Sequence, residues 1–226
     1  MILHAPNVHT GGGMVLLREL LSVAGSFLNW AQLDARLINR IGVLKGSYFI
    51  QRSVFSRLSA EWRLWRKSAA NDVVLCFNGL PPFFPISASA VVFVQNRILV
   101  EKQSLGGYPL ATRLRLAIER AWFRIMWKHA SLYIVQTPSM VRLLKDCLGP
   151  RVNIDYLPFV ATSTAATEES VENYEKKYDF LYVASGEVHK NHVKLLEAWR
   201  LISAAGLKPS LALTIDPLSF PALSAE

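Results

Sequence analysis

Residues 186–192 read Gly-Glu-Val-His-Lys-Asn-His, between a short apolar run (178–185) and a helical pattern (193–206). In such a strand-to-helix turn the first backbone N–H groups of the helix point outward, and its dipole adds partial positive charge. Lys190 adds a full charge, so the turn has what a phosphate needs. Gly186 permits a tight exit from the strand, and Asn191 has a side chain suited to capping the helix. His189 and His192 are three apart, but no third ligand accompanies them, so no metal is expected. The plain alternative is a capped, solvated turn.

A second cluster, His-Thr-Gly-Gly-Gly at 9–13, offers the same geometry near the N-terminus. It does not complete a dinucleotide-binding fingerprint: counting from Gly11, the third glycine would fall on Leu16. Spacing alone leaves two readings for Gly11, Gly12 and Gly13, an anion-binding loop or a connector that lets strand and helix pack closely.

Both turns need strands and helices in alternation, and the chain supplies them. Strands are expected at 1–5, 35–41, 72–78, 89–96, 131–137 and 152–158, with helices at 14–29, 52–69, 110–130 and 138–149. The runs at 72–78 and 89–96 are continuously apolar, as in strands buried on both faces of a parallel sheet. Residues 160–177 are rich in Ala, Thr, Ser and Glu and read as a linker. A strand (179–184), a helix (191–205) and a strand (210–216) follow. The pattern predicts a doubly wound α/β fold. Its expected domains are 1–160, a linker at 161–177, and an incomplete second α/β domain at 178–226.

The 226 residues are half apolar and only 19% charged, so a packed core is expected and a disordered chain excluded. Cys76 and Cys147 lack metal-ligand spacing and read as thiols in a reducing compartment. No window reaches the roughly 20 apolar residues of a spanning helix, and the N-terminus does not read as a signal peptide. The expectation is a cytoplasmic chain, soluble or peripheral. Its net charge of +8 is lopsided: residues 1–159 hold 19 Lys and Arg against 8 Asp and Glu, and the remainder is slightly acidic. A basic first domain suggests an anionic partner, such as a membrane surface.

The charge concentrates on two helices. At 52–67, Phe55, Leu58, Trp62 and Trp65 make one stripe, with Arg52, Arg63 and Arg66 on another face. At 110–128, Leu114, Ile118, Ala121 and Ile125 make a stripe beside Arg113, Arg120 and Arg124. Two readings stand: basic faces against anionic lipid, or core stripes with solvated arginines. Nucleic acid is not expected, because no binding motif accompanies the charge.

Four stretches resemble family-4 glycosyltransferases, nucleotide-sugar-dependent enzymes with two facing Rossmann-like domains (the GT-B fold). They are APNVHTGGGMVLLRELL at 5–21, VVFVQN at 91–96, VQTPSMVRLLKDCLG at 135–149, and 179–216, which opens DFLYVASGEVHKNH. The resemblance implies the acceptor-side domain and the start of the donor domain. It implies a sugar moved from a nucleotide diphosphate to a glycan or lipid-linked acceptor with retention, as in polysaccharide biosynthesis. Gly11, Gly12, Gly13, Gly186, Lys190 and Asn191 would face the donor diphosphate, and Gln95 and Asn96 the acceptor cleft. No cofactor is implied, since the nucleotide sugar is a substrate. The chain departs from the pattern at Glu187, where many relatives have Arg, and at Gln95–Asn96, where a His is common. The family's Glu-x7-Glu element does not occur within the 226 residues, so a truncated chain is expected. The alternatives are a non-catalytic remnant that binds membrane or a partner, and a nucleotide-sugar epimerase on the same fold.

Overall fold

The computed structural model describes residues 1–41, 46–158 and 177–224. The chain divides into two compact units. One is Met1–Leu105 with Pro109–Thr162, and the other is Gly106–Tyr108 with Ser163–Glu226. The expected linker falls almost wholly outside the described residues.

Unit 1 is a seven-stranded, all-parallel sheet flanked by helices, a Rossmann-like doubly wound fold. Its elements in chain order are β1 (Ile2–Ala5), α1 (Gly11–Ala24), β2 (Trp30–Asp34), α2 (Ile38–Ile41), β3 (Ser47–Ile50), α3 (Val54–Lys67), β4 (Val73–Cys76), β5 (Ser89–Phe93), α4 (Leu110–Met126), β6 (Leu132–Val135), α5 (Pro138–Leu148) and β7 (Ile154–Tyr156). The strand order is β3-β2-β1-β4-β5-β6-β7. Strand order reverses between β1 and β4, which pair with His4 opposite Cys76. In open α/β sheets a crevice forms at the carboxyl ends of the two strands at such a reversal.

Alternating side chains split the core in two. Ile2, Val74, Cys76, Val92, Tyr133 and Val135 face one side, packed with Leu64 of α3, Phe123 of α4 and Leu144 of α5. Leu3, Ala5, Ala31 and Leu33 face the other side with Met14 and Leu17 of α1. Both cysteines are free thiols, and burial pushes the Cys76 thiol well above its usual range, so it is chemically quiet.

The segment 35–41 is a correction. It was expected as a strand but forms a short 3-10 turn and α2, while the strand lies just before it, at Trp30–Asp34. Asp34 ends that strand by accepting the backbone N–H of Arg36 at 3.0 Å, which turns the chain. β3 carries no strong sequence signal and was not expected.

The helical stripes are resolved against the core reading. On α3, Phe55, Leu58, Trp62 and Trp65 are exposed, and Ala60, Glu61 and Leu64 are the residues that face inward. On α4, Leu114, Ile118 and Ile125 are exposed, as is Leu110, while Leu116 and Phe123 pack inward.

Unit 2 holds β8 (Phe180–Tyr182), α6 (His192–Ala204), β9 (Leu211–Leu213) and the short α7 (Pro221–Ser224). β8 and β9 pair in parallel, and Asp179 ties their ends by accepting from the Ser210 N–H and hydroxyl, both at 2.8 Å. Trp199 of α6 packs edge-on against Phe180.

Candidate functional site

The glycine cluster is not a loop ahead of the helix. It is the first turn of α1, with Gly11 at φ 61°, a conformation that glycine adopts without strain. Thr10 stands at the cap position but makes no side-chain hydrogen bond to the turn, and the turn carries no acidic residue. Its backbone donors therefore face outward with the positive end of the helix dipole behind them.

Beside this turn lies a cavity of about 260 Å³. It occupies the crevice at the β1–β4 reversal. Gly13 and the 7–10 loop form one wall, the chain after β4 (Phe77–Leu80) a second, Gln95, Asn96 and Leu99 a third, and Arg115 and Glu119 of α4 the last. Three residues named from sequence, Gly13, Gln95 and Asn96, thus share one cavity. Gly11 and Gly12 are exposed and do not line it. Gln95 donates to the Phe77 carbonyl at 3.3 Å. Asn96 accepts the Ile98 N–H at 3.0 Å, so its oxygen fixes the local turn and its amide remains as a donor.

The charged groups around the cavity come from elements far apart in sequence, and motif reading missed them. Arg57 of α3 donates to the Asn7 side chain at 2.6 Å, and Arg40 to the His9 carbonyl at 3.2 Å, so two cations brace the loop after β1. Burial lowers the Arg57 pKa, against the pull of nearby Glu119 and Asp34. Arg115 pairs with Glu119 at 3.2 Å. Burial lifts the Glu119 carboxyl above the ordinary carboxylate range despite Arg115 and Arg57.

Asp34 is buried and accepts from Arg36 Nε and Nη2, at 2.7 and 2.6 Å. Burial acts to raise its pKa, but the hydrogen bonds from Arg36 prevail and hold it below the usual value. An acidic residue at this strand end is where a dinucleotide's ribose would bind. Here both oxygens already serve Arg36.

His9 lies 3.9 Å from Asp34, and its pKa is lowered, first by burial and then by Arg36. A histidine that resists protonation in the fold contributes stability that is complete above its ordinary value of 6.5 and is lost as pH falls below it. Unit 1 is thus expected to melt progressively lower below about pH 6.5, and His9→Gln should flatten that slope in melts taken across pH.

In unit 2 the turn is built by backbone. Residues 188–190 form a single 3-10 turn, Lys190 N–H donates to the Glu187 carbonyl at 2.8 Å, and the Lys190 carbonyl accepts the Tyr182 hydroxyl at 2.7 Å. Lys190 is half-buried. Asn191 corrects the capping expectation. It adopts the left-handed conformation at φ 60°, ψ 33° and makes no side-chain cap bond. An N-cap side chain needs an extended backbone to reach back to the helix N–H groups, and the left-handed turn denies it that reach. Gly186 is needed for space: a Cβ there would come within 2.7 Å of Cδ1 of the Phe220 ring. His192 is buried edge-on to Tyr182. The side chain of His189 lies outside the described residues. The Ser185 hydroxyl donates to Glu187, which turns that carboxylate to its own loop.

Of the six arginines expected to face a membrane, Arg52, Arg66, Arg113 and Arg124 are exposed. Arg63 and Arg120 are corrections. Arg63 stacks 4.5 Å over Tyr48, and Arg120 donates to the carbonyls of Ile98 and Gln103 at 2.8 and 3.0 Å. Their guanidinium groups serve the fold.

No family model matches the chain, and no curated protein matches it in sequence. Unit 1 shows a Rossmann-like α/β architecture, and a fold of that kind does not by itself assign a function.

Proposed function

We propose that the chain is a glycosyltransferase that uses a nucleotide-diphosphate sugar. In this reading unit 1 takes a glycan or lipid-linked acceptor in its cavity, and the Lys190 turn of unit 2 takes the donor diphosphate. The observation that carries it is the meeting of Gly13 with Gln95 and Asn96, more than 80 positions further along the chain, in one cavity with Arg115 and Glu119. Amide and charged groups over an apolar floor of Phe77, Leu80 and Leu99 match a sugar, which presents hydroxyls at its rim and C–H groups on its faces.

The chemistry asks little more of the protein. Breaking a sugar–phosphate bond builds negative charge on the departing phosphate, and an ammonium backed by helix N–H groups stabilises that charge. Lys190→Ala is expected to weaken binding of a nucleoside diphosphate by about 1–3 kcal/mol, the scale of a charge-assisted contact. Calorimetric titration with UDP, GDP and ADP reads this directly. Equal affinity in parent and variant would remove Lys190 from the donor site.

A further inference from the structure

α3 and α4 both present apolar stripes to the outside while packing their opposite sides onto the same half of the core. They are neighbours on that face. An aromatic chain runs from Trp65 of α3 through Phe84 and Phe83 to Trp122 of α4, with ring centroids 6.0, 5.1 and 5.2 Å apart. Phe55 is 86% exposed and Leu114 65%, which is unusual for large apolar side chains set in regular helical stripes. The stripes repeat every three or four residues along helices of 14 and 17 residues, so each lies along one line.

The charge beside these stripes has one sign. Arg52, Arg66, Lys67, Arg113, Arg124 and Lys128 are exposed on or next to the two helices. The single acid of α3, Glu61, is buried, and the single acid of α4, Glu119, is paired with Arg115. Arg66 stands 5.8 and 5.9 Å from the Trp62 and Trp65 rings, so cation and indoles share one patch. A second copy of this chain would bring arginines against arginines. An anionic bilayer meets both demands: its headgroups pair with the cations and its acyl boundary takes the apolar side chains.

From this geometry we infer that the α3–α4 face docks unit 1 onto an anionic lipid surface, with both helices lying in the interface. The inference stands apart from the sugar-transfer reading, because it uses none of the residues assigned to donor or acceptor.

The test is co-sedimentation of the full 226-residue chain with vesicles of phosphatidylcholine mixed with phosphatidylglycerol, against phosphatidylcholine alone. The parent should bind the mixed vesicles at least about tenfold more tightly, and salt should weaken that binding. Phe55→Ser, Trp62→Ser, Leu114→Ser and Ile118→Ser combined should cut partitioning about tenfold or more, as should Arg66→Gln, Arg113→Gln and Arg124→Gln combined. These side chains are exposed, so both variants should keep the parent's thermal melt. Failure of the parent to sediment, or equal sedimentation by parent and variants, would overturn the inference. So would a dimer that forms without lipid and is lost in the serine variant.

Discussion

Glu61→Ala is expected to destabilise unit 1 by about 3 kcal/mol, enough to lower its melting temperature by about 10 °C. Glu61 is 3% exposed and faces inward from α3. One carboxyl oxygen bonds His4 Nε2 at 2.9 Å on β1, and the other accepts the Phe83 N–H at 2.9 Å. The alanine would leave a buried imidazole and a half-buried backbone donor without partners, and unmade bonds of that kind cost more than made ones contribute. Glu61→Gln keeps acceptor capacity for one of the two donors and should cost only about 1 kcal/mol. Glu61 also ties α3 to the 81–85 loop, so its loss should loosen the helix that carries the exposed tryptophans. A thermal melt of Glu61→Ala within 2 °C of the parent, a shift of well under about 1 kcal/mol, would refute this account of the pair.

Gly13→Leu is expected to weaken ligand binding in the unit 1 cavity about 10- to 100-fold while leaving the fold intact. The backbone at Gly13 is helical, so a side chain is tolerated there, and leucine favours a helix over glycine by roughly 0.5–1 kcal/mol. Space is the obstacle. A Cβ would sit 3.3 Å from Val8 Cγ1 and 3.4 Å from Gln95 Oε1, and the remaining carbons can only enter the cavity. Crowding of that sort costs roughly 1–3 kcal/mol, which lowers affinity for a bound glycan about 10- to 100-fold. Titration with a panel of oligosaccharides, followed through the amide shifts of unit 1, reads the effect. Undiminished shifts in the variant would mean that sugars bind elsewhere.

Most of the element order was legible in the sequence, for a physical reason. Strands β4 and β5 bury one face fully (Val74 and Cys76, Ala90 and Val92) and half-bury the other (Leu75, Val91), and they announce themselves as unbroken apolar runs. α5 carries Pro138 in its first turn and ends at Gly149, at φ 98°, so both its ends are written in residue type. The failures are equally specific. Apolar periodicity in α3 and α4 reports an apolar side but not which way it faces. Here the inward side is held by small, aromatic and polar residues such as Ala60, Phe123 and Glu61. The apolar run at 35–41 reads as extended by residue type, and only the Asp34–Arg36 turn decides otherwise.

The candidate site was legible in pieces. Gly13 sits at a strand-to-helix exit, which residue type and spacing can flag, whereas Gln95 and Asn96, at a strand-to-loop exit, are marked only by the family resemblance. Arg115 and Glu119 reach the cavity through α4, Arg57 of α3 braces the loop beside it through Asn7, and nothing in their local sequence marks them. Their role depends on β5 lying beside β4, a pairing set by the whole sheet. The same limit applies to Asn191, whose left-handed backbone is imposed by the turn before it and overrides its capping preference.

The most direct test is product analysis after incubating the purified chain with nucleotide sugars radiolabelled in the sugar, together with glycan and lipid-linked acceptors. Sugar transfer predicts label on an acceptor, with one nucleoside diphosphate released per sugar moved. Label that stays on the nucleotide, intact or as an isomerised sugar, would contradict it.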